Sequence, residues 1–392
     1  RPTFIFNLLY NKYMKRDEII KKIKRVVLKF GTNVLRDETG ELSQKRIESF
    51  ISQISKLHKK GVEVIVVTSG AVGIGAKKLG VDSNSSLTLK MACASIGQGY
   101  LMSIYEKEFQ KHDILVSQLL LTEDDFSNRI KYLNLSDVLN ELLKLKVIPI
   151  INQNDAVSSS ELETISDMVD ISFSDNDKLS ALVASRLEAD LLIILSDIDG
   201  LYDDNPKVNP NAKFISVVEK IDENIEKLGL GATSGGRGGM KTKLQAAKVM
   251  TRSGGACIIS NGKIENAIDE VIENNKGTIF LPYENLSGKK KWIAYAVNIC
   301  GQIVVNNGAK KALLNGDSSL LPIGVVKIEN DFQRGDVVNI VDKEGNIFAR
   351  GVANYNCSDC VKLVGCHSDD ISEILGYKNY DAIITRDNIV IL

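Results

Sequence analysis

The chain has 392 residues, 44% of them hydrophobic and 25% charged, with 49 Lys and Arg against 50 Asp and Glu. A net charge of −1 provides no bulk electrostatic hold on nucleic acid or on an anionic membrane. The length suggests roughly two or three domains, no apolar run reaches membrane-spanning length, and six cysteines are too sparse for a disulfide framework, which favours a reducing, cytoplasmic setting.

Residues 1–24 read as an N-terminal extension, of which 1–13 are apolar, lack a small-residue cleavage site and precede Met14. Val26 to Leu28 then form an apolar run that suits a buried strand and ends in Lys29-Phe30-Gly31. A lysine is seldom fully buried, so one at the tip of such a strand points into a cleft at the carboxyl edge of the sheet or simply reaches solvent. Gly31 permits close approach of the backbone to a ligand. Glu41 to Lys60 is an amphipathic helix with Ser43 as its N-cap and Gly61 as its stop. Val62 to Val67 is a second strand, and Thr68-Ser69-Gly70-Ala71 turns the chain into a helix over Val72 to Leu79. A strand, a tight small-residue turn and a helix together aim backbone N–H groups at an anion.

Leu89 to Gln110 is helical, Leu115 to Leu121 a strand, Ser136 to Leu145 a helix, and Val147 to Ile151 a strand that runs into Asn152-Gln153-Asn154-Asp155. Leu179 to Leu187 is helical, and the strand Leu191 to Leu195 opens into Ser196-Asp197-Ile198-Asp199-Gly200. Met240 to Ser253 is a helix and Ala256 to Ile259 the last core strand. This alternation implies an α/β fold with a doubly wound, mostly parallel sheet over 25–285, whose ligands collect along one edge. A linker over 286–297 follows. Short strands at Gln302–Val305, Val325–Glu329, Asp336–Asp342 and Ile347–Ala353, with a hairpin turn at Lys343-Glu344-Gly345-Asn346, then mark a small, mainly β domain over 298–376, before a tail over 377–392.

Several familiar signatures fail. The glycine-rich stretch from Gly231 to Lys243 precedes a helix and can wrap phosphates with its amides, but Met240 stands where a P-loop needs its second glycine. Lys78 breaks the dinucleotide fingerprint that begins at Gly73. Asp175-Asn176-Asp177 lacks the glycine and glutamate of an EF-hand. His58, His112 and His367 are scattered. Cys357-x-x-Cys360 with Cys366-His367 is either an irregular zinc knuckle or, as the spacing favours, a short helix over Ser358 to Val364 with Cys360 on its apolar face.

Taken together, Lys29-Phe30-Gly31, Thr68-Ser69-Gly70-Ala71 and Asp197-Ile198-Asp199-Gly200-Leu201-Tyr202 resemble the amino-acid kinase family. Asn152-Gln153-Asn154-Asp155-Ala156-Val157, Asp175-Asn176-Asp177 and the run from Gly238 to Ala247 resemble its glutamate-phosphorylating branch. Gly316 to Gly324, Phe332-x-x-Gly335-Asp336 and Gly351-Val352-x-x-Tyr355 resemble a PUA domain, an RNA-associated module. The resemblance implies transfer of a phosphoryl group from ATP, with Mg²⁺, to the γ-carboxylate of L-glutamate on the route to proline. It implies Lys29, Lys243 and Asp177 as catalytic residues, and Ser69, Gly70, Asn152, Asp155, Asp175 and Asn176 as substrate-binding residues. For the nucleotide it implies Lys29, Gly31, Ser196, Asp197 and the run Arg237, Gly238, Gly239, Met240, Lys241, Thr242 and Lys243, with no residue assigned as a metal ligand. Feedback by proline, a homo-oligomer, and RNA contact through the PUA-like domain are further implications. Ser196 departs from the family's threonine, Arg237 from its small residue or threonine, and Lys241 adds a charge. An N-acetylglutamate or aspartate kinase, and an RNA-binding protein built on a kinase scaffold, are the competing readings.

Overall fold

The structure, a computed structural model, describes residues 16–122, 124–127, 129–157, 176–206, 208–230, 239–283, 290, 293–294, 299–316 and 318–392. Two compact units result, one from the chain before Leu286 without 126–129, the other from 126–129 and the chain from Leu286 on.

The first unit contains β1 (Arg25–Phe30), β2 (Glu63–Val67), β3 (Val116–Leu121), β4 (Ile148–Gln153), β5 (Leu191–Ser196), β6 (Leu201–Tyr202), β7 (Phe214–Ile215), β8 (Val217–Val218), β9 (Ala256–Asn261) and β10 (Thr278–Phe280). Eight of these form one sheet in the order β3-β4-β2-β1-β5-β9-β10-β8, while β6 and β7 pair as a separate ribbon. From β3 to β9 every pairing is parallel, and β9 with β10 is antiparallel. The apolar runs are continuous because both faces are covered. Val26, Leu28 and Phe30 share a core with Ile47, Phe50 and Ile54 of the Gln44–Lys59 helix and with Leu101, Tyr105 and Phe109 of the Leu87–Gln110 helix. Val27, Ile65, Leu192 and Ile194 are as deeply buried on the other side, where the Asn176–Arg186 and Met240–Arg252 helices lie. Register aligns the strand tips: Lys29 lies opposite Val67 of β2 and Ile194 of β5, so the polar residues that follow emerge along one edge.

Two helices at that edge approach unusually closely. The Ala71–Leu79 helix crosses the Leu87–Gln110 helix so tightly that a Cβ on Gly75 would lie 1.8 Å from the Cys93 carbonyl oxygen, and one on Gly97 1.8 Å from that of Ala71.

The expected doubly wound, mostly parallel sheet is present, and Ser43 caps its helix by accepting from the Arg46 N–H. Four details differ. The helix expected over Ser136 to Leu145 begins at Arg129. The strand from Ala256 is not the last of the sheet: β10 follows it, and β8 lies at the edge beyond, both too short to show a period of their own. The N-terminal extension is not wholly separate, since Arg16 is fully buried and donates to the carbonyls of Val271, Lys276 and Gly277 at 3.0, 2.7 and 3.1 Å. These carbonyls lie at and beyond the C-terminus of the Ala267–Glu273 helix, where a cation is favoured. Sequence spacing cannot reveal a cap some 250 residues away, as the separations of 255 to 261 show. Residues 377–392, expected as a tail, supply a strand to the second unit, as follows.

That unit is a five-stranded sheet of β11 (Gly301–Val305), β12 (Val325–Glu329), β13 (Val337–Val341), β14 (Ile347–Val352) and β15 (Ile389–Ile391), in the order β12-β11-β13-β14-β15. The β13–β14 hairpin turns at Gly345, φ +86°, with Asp342 accepting from the N–H groups of Glu344 and Asn346. Phe332, Tyr355 and Leu363 fill its core. Cys360 joins them from the Cys357–Leu363 helix, the helical alternative for that motif.

Gly75→Val is expected to destabilise the protein by about 1–3 kcal/mol, because a carbonyl oxygen, unlike a side chain, cannot rotate out of the way. A urea midpoint equal to that of the unchanged protein would show that the two helices part without cost.

Candidate active site

Lys29 ends β1, Asp177 stands in the first turn of the Asn176–Arg186 helix, and Lys243 in the first turn of the Met240–Arg252 helix. The three side chains meet. Lys29 Nζ is 2.5 Å from Asp177 Oδ1 and Lys243 Nζ is 2.9 Å from Asp177 Oδ2. All three are buried, at 4, 0 and 3% exposure. Thr242 Oγ1 adds a hydrogen bond to Asp177 Oδ2 at 3.1 Å. Burial pushes the Asp177 carboxyl up, but the two ammonium groups outweigh it and hold the pKa at about 2. One carboxylate thus holds two cations. The amino-terminal ends of both helices add positive potential beside them. Lys29 and Lys243 face a cavity of about 880 Å³ that runs along the carboxyl edge of the sheet.

One lobe of the cavity is amide-rich. Gly70, φ +101°, occupies the N-cap of the Ala71–Leu79 helix without side-chain capping, a backbone angle that favours glycine. Ser69 Oγ donates to the Phe30 carbonyl at 2.9 Å. Asn176 Nδ2 donates to the Thr68 carbonyl at 2.8 Å, to Asn152 Oδ1 at 3.0 Å and to Ser69 Oγ at 3.2 Å. Turn, strand tip and helix start are thereby tied together, and Asp155 lines the same cavity.

The other lobe lies beyond Gly31, whose N–H donates to the Leu195 carbonyl at 3.0 Å. A Cβ on Gly31 would sit 3.3 Å from that oxygen and 3.9 Å from Lys29 Nζ. Ser196, Asp197, Gly239 and Met240 line this lobe. Burial raises the Asp197 carboxyl, but the Asn33 amide, donating to Asp197 Oδ2 at 3.2 Å, and the Ser196 hydroxyl contribute to a net lowering.

The structure therefore gathers Lys29, Gly31, Ser69, Gly70, Asn152, Asp155, Asn176, Ser196, Asp197, Gly239, Met240 and Lys243 in one cavity wall, with Asp177 directly behind. Lys241 is exposed and Thr242 Oγ1 donates to Asp177 Oδ2, and neither is among the residues that line the cavity. Helical geometry explains it, since consecutive residues point about 100° apart and cannot all face one ligand. Asp175, Arg237 and Gly238 lie outside the described residues. Asn33, Asp199 and Asn261, the last donating to Asp199 Oδ1 at 2.8 Å, also line the cavity, and Gln98 stands behind Asn152. The first three follow strands β1, β5 and β9, or end one, so their position just past a strand tip was a usable signal. Gln98, inside a long helix, carried none.

The family model for the amino acid kinase family matches residues 24–261, and that for the PUA domain residues 301–375. Among curated relatives, the glutamate 5-kinase of Caldanaerobacter subterraneus subsp. tengcongensis is 47% identical over 372 residues, covering 94% of this chain and 98% of its own. That of Thermoanaerobacter sp. is 45% identical with the same coverage. That of Methanosarcina barkeri is 42% identical over 388 residues, covering 96% of this chain and 99% of its own. With the triad and cavity at the sheet edge, and likeness of this extent through both units, the chain belongs to the amino acid kinase family, among the glutamate 5-kinases that carry a PUA domain.

Proposed function

We propose that this protein transfers the γ-phosphoryl group of ATP to the γ-carboxylate of L-glutamate, the first step of proline synthesis. The convergence of Lys29 and Lys243 on Asp177 is the observation that carries the reading. A carboxylate oxygen attacks the γ-phosphorus, the bond from that phosphorus to the β–γ bridging oxygen breaks, and ADP leaves as an acyl phosphate forms. No proton moves. With a pKa near ~4.3 the nucleophile is ionised at neutral pH, so the step needs no general base. The obstacle is repulsion between an anion and a polyphosphate, and the remedy is fixed positive charge on the transferring group. Lys29 and Lys243 supply that charge, and Asp177 holds both ammonium groups in place so that little reorganisation accompanies the reaction.

In the amide-rich lobe, Asp155, Asn152 and Asn176 receive the glutamate, with a carboxylate held by the amides of the Ser69-Gly70 turn. Asp175, next to Asn176 in sequence, completes that set. Gly31, Ser196, Asp197, Gly239 and Met240 receive the nucleotide, joined by Arg237 and Gly238 from the glycine-rich stretch. Mg²⁺ would enter with the nucleotide phosphates, keeping several waters, a mode that calls for no protein cage. The ionised Asp197 in the cavity wall fits such a hydrated cation, which when bound neutralises phosphate charge. The kinase reaction is assigned to 25–285 and RNA contact to 298–376, joined by 286–297. Proline feedback, a homo-oligomer and a cytoplasmic setting complete the reading; among the described residues no helix is long and apolar enough to cross a membrane.

With ATP and hydroxylamine as trap, L-glutamate is expected to give hydroxamate and N-acetylglutamate none; the reverse pattern would assign the chain to the other branch of the family. Lys29→Ala and Lys243→Ala should each lower kcat by about 10²–10³, the usual cost of removing one preorganised charge donor. A near-normal kcat in either variant would take that lysine out of the mechanism. As the pH falls, the substrate carboxylate protonates first, near ~4.3, and Asp177 only at about 2. None of the described histidines lines the cavity. A profile of kcat/KM for glutamate is therefore expected to stay flat from about pH 6 to pH 8 and to fall only on further acidification, whereas a limb near the ordinary histidine pKa of ~6.5 would point to a titrating imidazole.

A further inference from the structure

Thr32 and Arg36 stand at the two ends of the short Thr32–Leu35 helix that follows β1 and Gly31, Arg36 as its C-cap. Each meets the Ala71–Leu79 helix at a glycine. A Cβ on Gly70 would lie 3.8 Å from Thr32 Cγ2. One on Gly73 would lie only 1.9 Å from Arg36 Nη2, 3.1 Å from its Cζ and 3.8 Å from its Nε. The guanidinium therefore lies against the first turn of that helix, in room left by a residue without a side chain. The Arg36 backbone is held by a bridge to Leu42. Arg36 is half-buried and lines the cavity, as do Thr32, Gly70 and Gly73.

Among the described residues this guanidinium has neither an ion pair nor a hydrogen bond. The acidic neighbours in its own hairpin are taken. Asp37 accepts from the N–H groups of Thr39 and Glu41 and from the Thr39 hydroxyl, and Glu41 pairs with Lys77. The other cations of the lining are placed differently. Lys29 and Lys243 are held by Asp177, and Lys90 has an interaction of its own. Lys227 stands on the Glu223–Leu230 helix, which packs against the Met240–Arg252 helix on the nucleotide side. Arginine stays charged at any working pH, and its planar fork matches a carboxylate. L-Glutamate carries two carboxylates with three carbons between them, and the reaction requires the γ one at Lys29 and Lys243. A Cβ on Gly31 would lie 3.9 Å from Lys29 Nζ, and Arg36 comes after the helix that Gly31 opens. The guanidinium thus belongs to a position about one helical turn, roughly 5 Å, further out along the same wall, a span comparable with the substrate's own. We infer that Arg36 is a specificity-determining residue: its guanidinium pairs with the α-carboxylate of L-glutamate while the γ-carboxylate faces the two lysines. The inference rests on the L-glutamate reading above and specifies which charge of that substrate meets this end of the lobe.

Arg36→Gln removes the charge and keeps a polar side chain. The test compares the KM for L-glutamate, the inhibition constant of L-isoglutamine (the α-amide, which keeps the γ-carboxylate and loses the α-carboxylate) and the KM for ATP. Arg36→Gln is expected to raise the KM for L-glutamate about tenfold, the lower range of a hydrogen bond to a charged group. The inhibition constant of L-isoglutamine and the KM for ATP are each expected to stay within about twofold. An unchanged KM for L-glutamate, an equal rise in the inhibition constant of L-isoglutamine, or a parallel rise in the KM for ATP overturns the inference. Should Arg36→Gln not yield folded protein, Gly73→Ala takes its place in the same comparison: it puts a methyl where the guanidinium lies, and alanine suits a helix better than glycine. A parent protein inactive on L-glutamate overturns the substrate reading itself, an outcome distinct from an active parent with an unresponsive variant.

Discussion

The buried ion triad of Lys29, Asp177 and Lys243 is the interaction on which the rest of the site depends. Taking three charges out of water is expensive, and a buried pair is weak evidence for stability in itself. The arrangement is explained by what it positions. Two ammonium groups share a single carboxylate, 2.5 and 2.9 Å away, so both cations are held in fixed positions at the cavity wall. Breaking any one contact would leave a buried charge uncompensated, which typically costs about 3–5 kcal/mol. The fold is thereby tied to the geometry of this centre.

Three separate elements must arrive together for this to happen. Parallel pairing of β1 with both β2 and β5 sets the strand tips level, and the two helices carrying Asp177 and Lys243 lie on one face of the sheet. On the same edge, Gly75 and Gly97 let the Ala71–Leu79 and Leu87–Gln110 helices close on each other. At that edge Gln98 meets Asn152, and Asn152 meets Asn176. The cationic centre and the amide-rich lobe are thus two products of one architectural feature, a set of parallel strands whose carboxyl ends share an edge.

The glutamate 5-kinase relationship explains why the histidines stand apart from the cavity. An acceptor that is already an anion at neutral pH needs positioning and charge screening, and residues for both are present in abundance. The second unit has its own core and its own five-stranded sheet.

Much of this was legible in the linear chain. The apolar runs at Val26–Leu28, Val62–Val67 and Leu191–Leu195, the Ser43 cap and the small or polar residues after each strand identified a doubly wound sheet and the edge where ligands gather, because burial on two faces and tight turns restrict residue type locally. The short strands β8, β10 and β15 escaped, since two or three residues carry no periodicity. Arg16 and Gln98 escaped for a different reason: each acts on backbone or amide groups far away in sequence, and nothing in its own neighbourhood marks it. Lys241 and Thr242 are adjacent to Lys243 yet do not line the cavity, an arrangement set by the helical rotation. By itself the sequence determined which elements form and which residues stand at their ends, as these follow from local sterics and the hydrophobic period. Only the tertiary structure decided which charge faces which, because pairing over a hundred residues or more depends on strand register and helix crossing, and those are set by packing rather than by any local pattern.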